Sequence, residues 1–504
     1  MESGKTVIVI GGGIGGLSLA AMLGKKGFHV TLLEKNEMLG GRAGLFKANG
    51  FTFDMGPSWY LMPDVFEHYF DLMGEKIEDH LALKRLTPSY RIFFKDSPAG
   101  MINMYADREK DGETFEKLEP GSSVKFDEYL RRAKLNYEIS KESFMYKNYD
   151  SIFDFLTLRV AIQGTKLSVF STMDRFVRRF FKTETMQKIM QYTLVFLGSS
   201  PYNTPALYSI MTYIDFGMGV FYPTGGIYKI IESLVKIGEK NGVHYRTSSP
   251  VAEILTENGK AIGVRLESGE ILSADIIVSN ADIHHTETKL LKKEEDREHP
   301  ESVWEKKTLS PSAFIMYLGF KDRVPSLTHH NLLFSRDWHK NFGEIFDHPQ
   351  WPTDPSLYVC APSVTDPSVA PEGKENLFVL VPMAPGIEYT EDEMNAYGEK
   401  ILDLMQTELS IPNIRERIEF KRYFCGKDFK ERYNSYKGSA LGLAHTLMQT
   451  AIFRPNTISK KVKNLYYVGA NTNPGIGMPI CLISAELVYK RLIGDKSDGP
   501  LKSL

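Results

Sequence analysis

The stretch from Lys5 to Glu34 constrains this chain more than any other. An apolar run, Val7-Ile8-Val9-Ile10, passes into Gly11-Gly12-Gly13-Ile14-Gly15-Gly16. An amphipathic helical pattern follows to about Lys26, and then a second apolar strand, Val30-Thr31-Leu32-Leu33, closed by Glu34. Each part has a mechanical reason in a dinucleotide site. Gly11 makes the tight turn, Gly13 lets backbone N–H groups approach a pyrophosphate, and Gly16 lets the helix pack close to the strand. Glu34 accepts from a ribose hydroxyl. A G-x-G-x-x-G alone is weak, but here strand, helix, second strand and acid all fall where the fingerprint needs them.

The residues after Glu34 separate FAD from NAD. Lys35-Asn36 is followed by Leu39-Gly40-Gly41-Arg42-Ala43 and by Phe51-Thr52-Phe53-Asp54-Met55-Gly56-Pro57-Ser58, which an NAD dehydrogenase does not need. Gly40 and Gly41 let the backbone pass close to a second phosphate or a flavin edge, and Arg42 supplies a fixed positive charge for the pyrophosphate. The competing reading is an ordinary turn with Arg42 in a surface ion pair. No second Gly-rich fingerprint occurs, so no NAD(P) domain is expected.

Bulk properties add limits. The 504 residues suffice for two or three lobes, and a net charge of -2 gives no reason to expect nucleic acid. Cys360, Cys425 and Cys481 lie far apart, without metal-ligand or C-x-x-C spacing, so no metal is expected and a reducing, cytoplasmic setting fits. No apolar run approaches the roughly 18 to 20 residues of a spanning helix, and the start lacks the pattern of a signal peptide.

Beyond the N-terminus, five motifs carry a resemblance: Gly219-Val220-Phe221-Tyr222-Pro223-Thr224-Gly225-Gly226, Ser279-Asn280-Ala281-Asp282, Tyr436-Lys437-Gly438-Ser439-Ala440, Phe453-Arg454-Pro455, and the block from Asn464 through Gly469-Ala470-Asn471-Thr472-Asn473-Pro474-Gly475-Ile476-Gly477-Met478-Pro479. Nearly end to end, the chain resembles the FAD-dependent amine oxidase and carotenoid desaturase superfamily, and within it the bacterial-type phytoene desaturases. The resemblance implies an α/β fold: a Rossmann-like FAD-binding domain with an inserted mixed-sheet substrate domain and a helical, membrane-facing subdomain. It implies FAD held by Gly11, Gly13, Gly16, Glu34, Lys35, Gly41, Arg42, Pro57, Ser58, Val251, Asn280, Leu441, Gly469, Asn471 and Met478. The implied substrate is a lipophilic C40 or C30 polyene, with hydride passing to flavin and peripheral membrane attachment; one nucleotide fingerprint and no cysteine pair make oxygen or a quinone the expected final electron acceptor.

The segments follow the same plan. Residues 1–75, 225–291 and 460–504 are expected to build the FAD domain, 76–121 and 292–459 the substrate domain, and 122–224 the helical subdomain. Within the middle FAD segment, a helix over 228–241, a strand over 243–246 and a hairpin of 251–255 with 261–266 are expected, the last turning at Asn258-Gly259. Short β-rich runs at 314–318 and 377–381 belong to the substrate lobe.

Three site questions stay open in the sequence. Residues 156–182 place Phe170, Phe176, Val177, Phe180 and Phe181 beside Arg175, Arg178, Arg179 and Lys182: a membrane-interface helix or a core-facing one. His445 is either a base tuned near neutral pH or a structural histidine, and no catalytic residue is assigned. Asn471 and Asn473 depart from the small residues and histidine usual before Pro-Gly in phytoene desaturases, and Lys437 stands where a histidine is common. With Met478-Pro479-Ile480-Cys481, this leans toward the branch that desaturates the 3,4 bond of hydroxylated or cyclised carotenoids. The amides serve either a hydroxyl end group or the flavin pyrimidine edge. A lycopene-forming phytoene desaturase, a flavin amine oxidase and a non-catalytic FAD-binding lipid carrier are the alternatives.

Overall fold

The computed structural model describes residues 4–95, 99–151 and 171–504. Strand β1 (Thr6–Ile10), helix α1 (Ile14–Lys25) and strand β2 (His29–Leu33) form the expected unit. β1 and β2 sit in a five-stranded, wholly parallel sheet, in the order Leu465–Tyr467, Ile276–Ser279, β1, β2, His244–Arg246. Its strands thus come from three distant stretches of chain. β1 reads Val-Ile-Val-Ile because a parallel sheet is covered on both faces. α1 is buried along its whole length from Ile14 to Leu23 rather than on one face, since helices Tyr228–Lys240 and Met478–Ile493 both pack on it. Small residues permit that approach: a β-carbon on Gly24 would lie 2.4 Å from the Asn241 carbonyl oxygen.

A three-stranded antiparallel meander, Val251–Glu257, Lys260–Leu266 and Ile271–Ser273, adjoins this sheet. Its first turn has Asn258 at φ +50° and Gly259 at φ +69°, the left-handed pair that an Asn-Gly hairpin supplies at least cost.

The second large sheet has seven strands in the order Ile418–Phe424, Ser312–Phe320, Glu375–Met383, Leu357–Cys360, His330–Phe334, Tyr90–Phe94, Met101–Met104. Only the His330–Phe334/Tyr90–Phe94 pair is parallel. The apolar runs at 314–318 and 377–381 lie in two adjacent interior strands, which pair along their full length.

The helical insertion overturns one expectation. Helix Met173–Phe180 carries the aromatic and basic cluster, yet Phe176, Val177, Phe180 and Phe181 are buried. Phe180 meets the ring of Tyr129, on helix Ser122–Ser140, edge-on at 5.2 Å. Arg175, Arg178, Arg179 and Lys182 form the solvated face, with Arg178 paired to Asp174 at 2.8 Å. The amphipathic pattern is therefore spent on the core, where an aromatic partner already waits. Residues 156–170 of that expected helix, Phe170 included, lie outside the described residues. No helix among the described residues is long and apolar enough to cross a membrane.

Candidate active site

Two glycine-rich elements meet at the carboxyl end of β1. The Gly40 N–H donates to the Gly12 carbonyl at 2.7 Å, and a β-carbon on Gly41 would stand 3.3 Å from the Gly13 α-carbon. That seam, the N-terminus of α1 and Glu34 open into one cavity of about 1370 Å³. Glu34 is buried and already organised. One carboxylate oxygen accepts from the Gly12 N–H at 2.8 Å, the other from the backbone and side-chain N–H groups of Asn36 at 2.8 Å each. A carboxylate has about four lone-pair sites, so capacity for a hydroxyl donor remains.

Of the residues assigned from sequence, Gly11, Gly13, Glu34, Lys35, Gly41, Arg42, Pro57, Ser58, Val251, Asn280, Leu441, Asn471 and Met478 all line this cavity. Gly16 and Gly469 are not among its lining residues, and Gly16 packs close to the turn after β1, as the sequence expects. Both are positions of close packing. A β-carbon on Gly16 would fall 2.3 Å from the Gly11 carbonyl oxygen, and one on Gly469 would fall 2.5 Å from Oδ1 of Asn280. Asn280 is the hub here, its Nδ2 donating to the Gly11 carbonyl at 3.1 Å.

The cationic side is built by residues the sequence pattern did not reveal. Helix Gly426–Tyr433 brings Arg432 and Tyr433 to the cavity wall, followed by Asn434. Lys35 donates to the Glu431 carbonyl at 2.7 Å and to Asn434 Oδ1 at 3.1 Å, and burial pulls its pKa down. Arg42 reaches Ser435 Oγ at 3.2 Å and lies 5.9 Å from the Tyr433 ring centre, while its Nε is buried without a partner among the described residues, as is the Nε of Arg432. Two buried guanidinium N–H groups without partners beside a glycine seam at a helix N-terminus fit a diphosphate. His285, held neutral with a pKa pushed down to about 4 by burial, accepts from Asn434 Nδ2 at 3.2 Å. The only sequence hint for this set is its nearness to Gly438-Ser439-Ala440.

The far wall is a braced loop. Asn471 donates to Asp282 at 3.0 Å and accepts from the Leu443 N–H at 3.2 Å. Buried Arg454 donates to the carbonyls of Thr472, Gln449, Leu443 and Ala470, tying the 443–449 and 469–473 loops together. Gly477 to Cys481, the first turn of helix Met478–Ile493, also lines the cavity and presents the positive end of that helix.

His445 lines the cavity as well, but it is not poised as a base. The Ile476 N–H donates to its Nε2 at 3.1 Å, so Nδ1 carries the proton and donates to the Tyr208 hydroxyl at 2.6 Å. Burial holds its pKa well below the usual histidine range. Its ring is a neutral strut.

The same cavity has an apolar part walled by Tyr192, Phe196, Leu332, Phe334, Trp338 and Phe342. Leu447 and Phe453 line its outer reach and, with neighbouring Met448, are exposed large apolar side chains. The volume exceeds the roughly 300–1,000 Å³ of a single small-ligand pocket, which leaves room for a second guest beside a dinucleotide.

The flavin-containing amine oxidoreductase family matches over residues 14–492, and the chain belongs to that family. It is an FAD-dependent oxidoreductase. It is 46% identical to a carotenoid 3,4-desaturase of Haloarcula japonica, over 98% of this chain and 99% of that protein. It is 37% identical to a zeta-carotene-forming phytoene desaturase of Myxococcus xanthus, over 97% of this chain and 94% of that one. Among solved structures, an oxidoreductase from Methanosarcina mazei shares the fold with a TM-score of 0.61 at 18% identity, over 96% of this chain and 100% of the other.

Proposed function

We propose that this chain is a carotenoid desaturase that introduces a C=C bond into a C40 or C30 polyene, and that its bond is the 3,4 bond of a hydroxylated or monocyclic carotenoid. The observation that carries this reading is the continuity of the cavity: one space runs from a polar, glycine-lined cradle into an aromatic and aliphatic chamber. The 46% identity to a 3,4-desaturase over nearly both chains supports the choice of bond.

In this reading Glu34 holds the adenosine ribose, Gly13 and Arg42 the pyrophosphate, and the backbone near Val251 the adenine half. Arg432 adds a second charge beside Arg42. FAD, when bound, would supply a two-electron acceptor for the hydride removed from one carbon of a saturated CH–CH pair beside the polyene, the neighbouring carbon losing its hydrogen as a proton that passes to solvent. The chain's own work is alignment and exclusion of water. The chamber's aromatic walls hold an extended apolar substrate in line, and the His445–Tyr208 strut keeps the 445 and 476 backbones in register where the two regions meet. The amides of Asn471 and Asn473 stand on the cavity wall, where they can meet a polar end group or the cofactor edge. Substrate enters from a bilayer to which the protein attaches peripherally, through the exposed apolar lip of Leu447, Met448 and Phe453.

The test is pigment analysis in cells that make the protein with defined precursors. A red-shifted product with a new 3,4 double bond from a hydroxylated or monocyclic carotenoid, with phytoene left unchanged, is the expected result. Conversion of phytoene alone would replace the proposed bond, and an unchanged pigment set with every precursor would remove desaturation altogether.

A further inference from the structure

His329, His330 and Cys360 are separated in sequence but meet through strand pairing. His330 opens strand His330–Phe334 and lies directly opposite Cys360, the last residue of Leu357–Cys360. Opposed residues in an antiparallel pair project from one face with β-carbons about 5 Å apart. His329 precedes the strand, and its carbonyl accepts from the Ala361 N–H at 2.8 Å, which fixes it beside the same pair. One ligand atom from each of the three side chains lies within 4.8 Å of the others, and all three residues are buried.

The hydrogen bonding of the two rings is what makes this cluster more than packing. His329 Nδ1 is 2.8 Å from the Thr365 hydroxyl and His330 Nδ1 is 2.8 Å from the Tyr358 hydroxyl. The Nε2 atom of each ring is buried with no hydrogen-bond partner among the described residues. Two unpartnered buried imidazole nitrogens in neighbouring residues call for an explanation, since buried polar atoms are nearly always satisfied. In the tautomer whose Nδ1–H donates to the hydroxyl, each Nε2 presents a bare lone pair. That is the arrangement by which an outer hydroxyl orients a metal-ligating histidine. Cys360 supplies the third donor. A cavity of about 20 Å³ abuts Cys360, lined also by Asp54, Ser58 and Tyr222.

We propose that His329, His330 and Cys360 bind a single zinc-class cation, with a water completing its coordination. The site lies just behind the chamber wall. The His330 ring stacks on cavity-lining Trp59 at 4.0 Å and 8°, and its hydroxyl partner Tyr358 lines the cavity too. The cation would pin the Trp59 wall to the seven-stranded sheet; it takes no part in the electron transfer.

The experiment uses FAD-loaded protein. After mild chelation, titration with Zn2+ alone should reach one ion per chain and raise the thermal midpoint. Titration with Co2+ should give tetrahedral d–d bands and a thiolate-to-cobalt charge-transfer band. Cys360→Ser, which preserves volume, should lose the charge-transfer band while keeping its flavin spectrum, and His330→Asn should weaken Zn2+ binding at least about tenfold. Wild-type protein that takes up no stoichiometric Zn2+ and shows no such band overturns the proposal, as does a band that persists in Cys360→Ser. These readouts do not depend on which polyene is the substrate, so failure here leaves the proposed reaction standing, and the reverse also holds.

Discussion

Oδ1 of Asn280 lies where a β-carbon on Gly469 would stand only 2.5 Å away, so the strand end Ile276–Ser279 and the loop after Leu465–Tyr467 can close on the dinucleotide cradle only if position 469 is glycine. Gly469 also has φ +104°, which an L side chain rarely adopts. Gly469→Ala is therefore expected to lower FAD content and to cost about 1–3 kcal/mol of stability. Adding Asn280→Ala should recover the steric part and leave the backbone part, a coupling that a double-mutant cycle in denaturant reads directly. Additive losses would mean that the two residues do not press on each other.

Direct contacts should behave differently. Glu34→Ala removes the acceptor proposed for the ribose and also strips the Gly12 and Asn36 N–H groups of their partner. A charge-assisted hydrogen bond is worth about 1.5–3 kcal/mol, so FAD affinity should fall tenfold or more. Calorimetric titration of apoprotein checks this; wild-type protein that bound NAD but not FAD would contradict the cradle itself.

Asp215 gives a pH dependence with a definite sign. Its carboxylate accepts from the phenols of Tyr90 and Tyr192, both at 2.8 Å, but burial dominates and pushes its pKa up to about 7. A raised native pKa means the stability contribution is complete below the unfolded value near 3.8 and is lost as pH climbs toward 7. At 1.36 kcal/mol per unit the span is about 4 kcal/mol. Asp215→Asn lacks this titration, so relative to the parent it should gain stability between pH 4 and pH 8, with other groups cancelling in the difference. Parallel unfolding curves across that range would show that Asp215 stays charged.

How far the sequence reached depends on how local the determinant was. Gly11 to Glu34 encodes its turn, helix and acid within one supersecondary unit, and Asn258-Gly259 encodes its hairpin in two residues; both were legible. Phe176, Phe180 and Phe181 show the opposite case. An apolar helical face has the same spacing whether it meets lipid or Tyr129, and only tertiary structure decides. Arg432 and Asn434 reach Lys35 and Arg42 from nearly four hundred residues away, and the His330–Cys360 pairing exists only as strand register. The neutrality of His445 likewise depends on Tyr208 and on the Ile476 N–H, neither of which its neighbours announce.

The proposed route for electrons rests on there being one dinucleotide cradle among the described residues. Cys360, Cys425 and Cys481 are unpaired thiols, so the protein offers no disulfide relay, and electrons should leave for oxygen or a quinone rather than for nicotinamide. Stopped-flow reoxidation of substrate-reduced enzyme should be fast with either acceptor and absent with NAD+ alone. Anaerobic, quinone-free turnover sustained by NAD+ would reverse this.

The proposed membrane attachment rests on the cavity lip rather than on the basic helix. Phe180 and Phe181 are buried, so changing them to Ser should damage folding rather than vesicle binding, whereas Leu447, Met448 and Phe453 are 45%, 62% and 43% exposed beside the chamber they serve. Fully burying one large apolar side chain is worth about 1.5–3 kcal/mol, so a Leu447→Ser, Met448→Ser, Phe453→Ser variant should lose at least tenfold in vesicle affinity. Because the binding is apolar, raising salt should weaken it little; a steep salt dependence would return the contact to Arg175, Arg178 and Arg179. FAD content should be unchanged, since these side chains lie at the outer end of the cavity. Turnover should fall for carotenoid dissolved in vesicles and much less for the same carotenoid in detergent micelles. If the triple variant floats with vesicles as well as the parent does and converts bilayer-dissolved carotenoid at the parent rate, the polyene enters by another face.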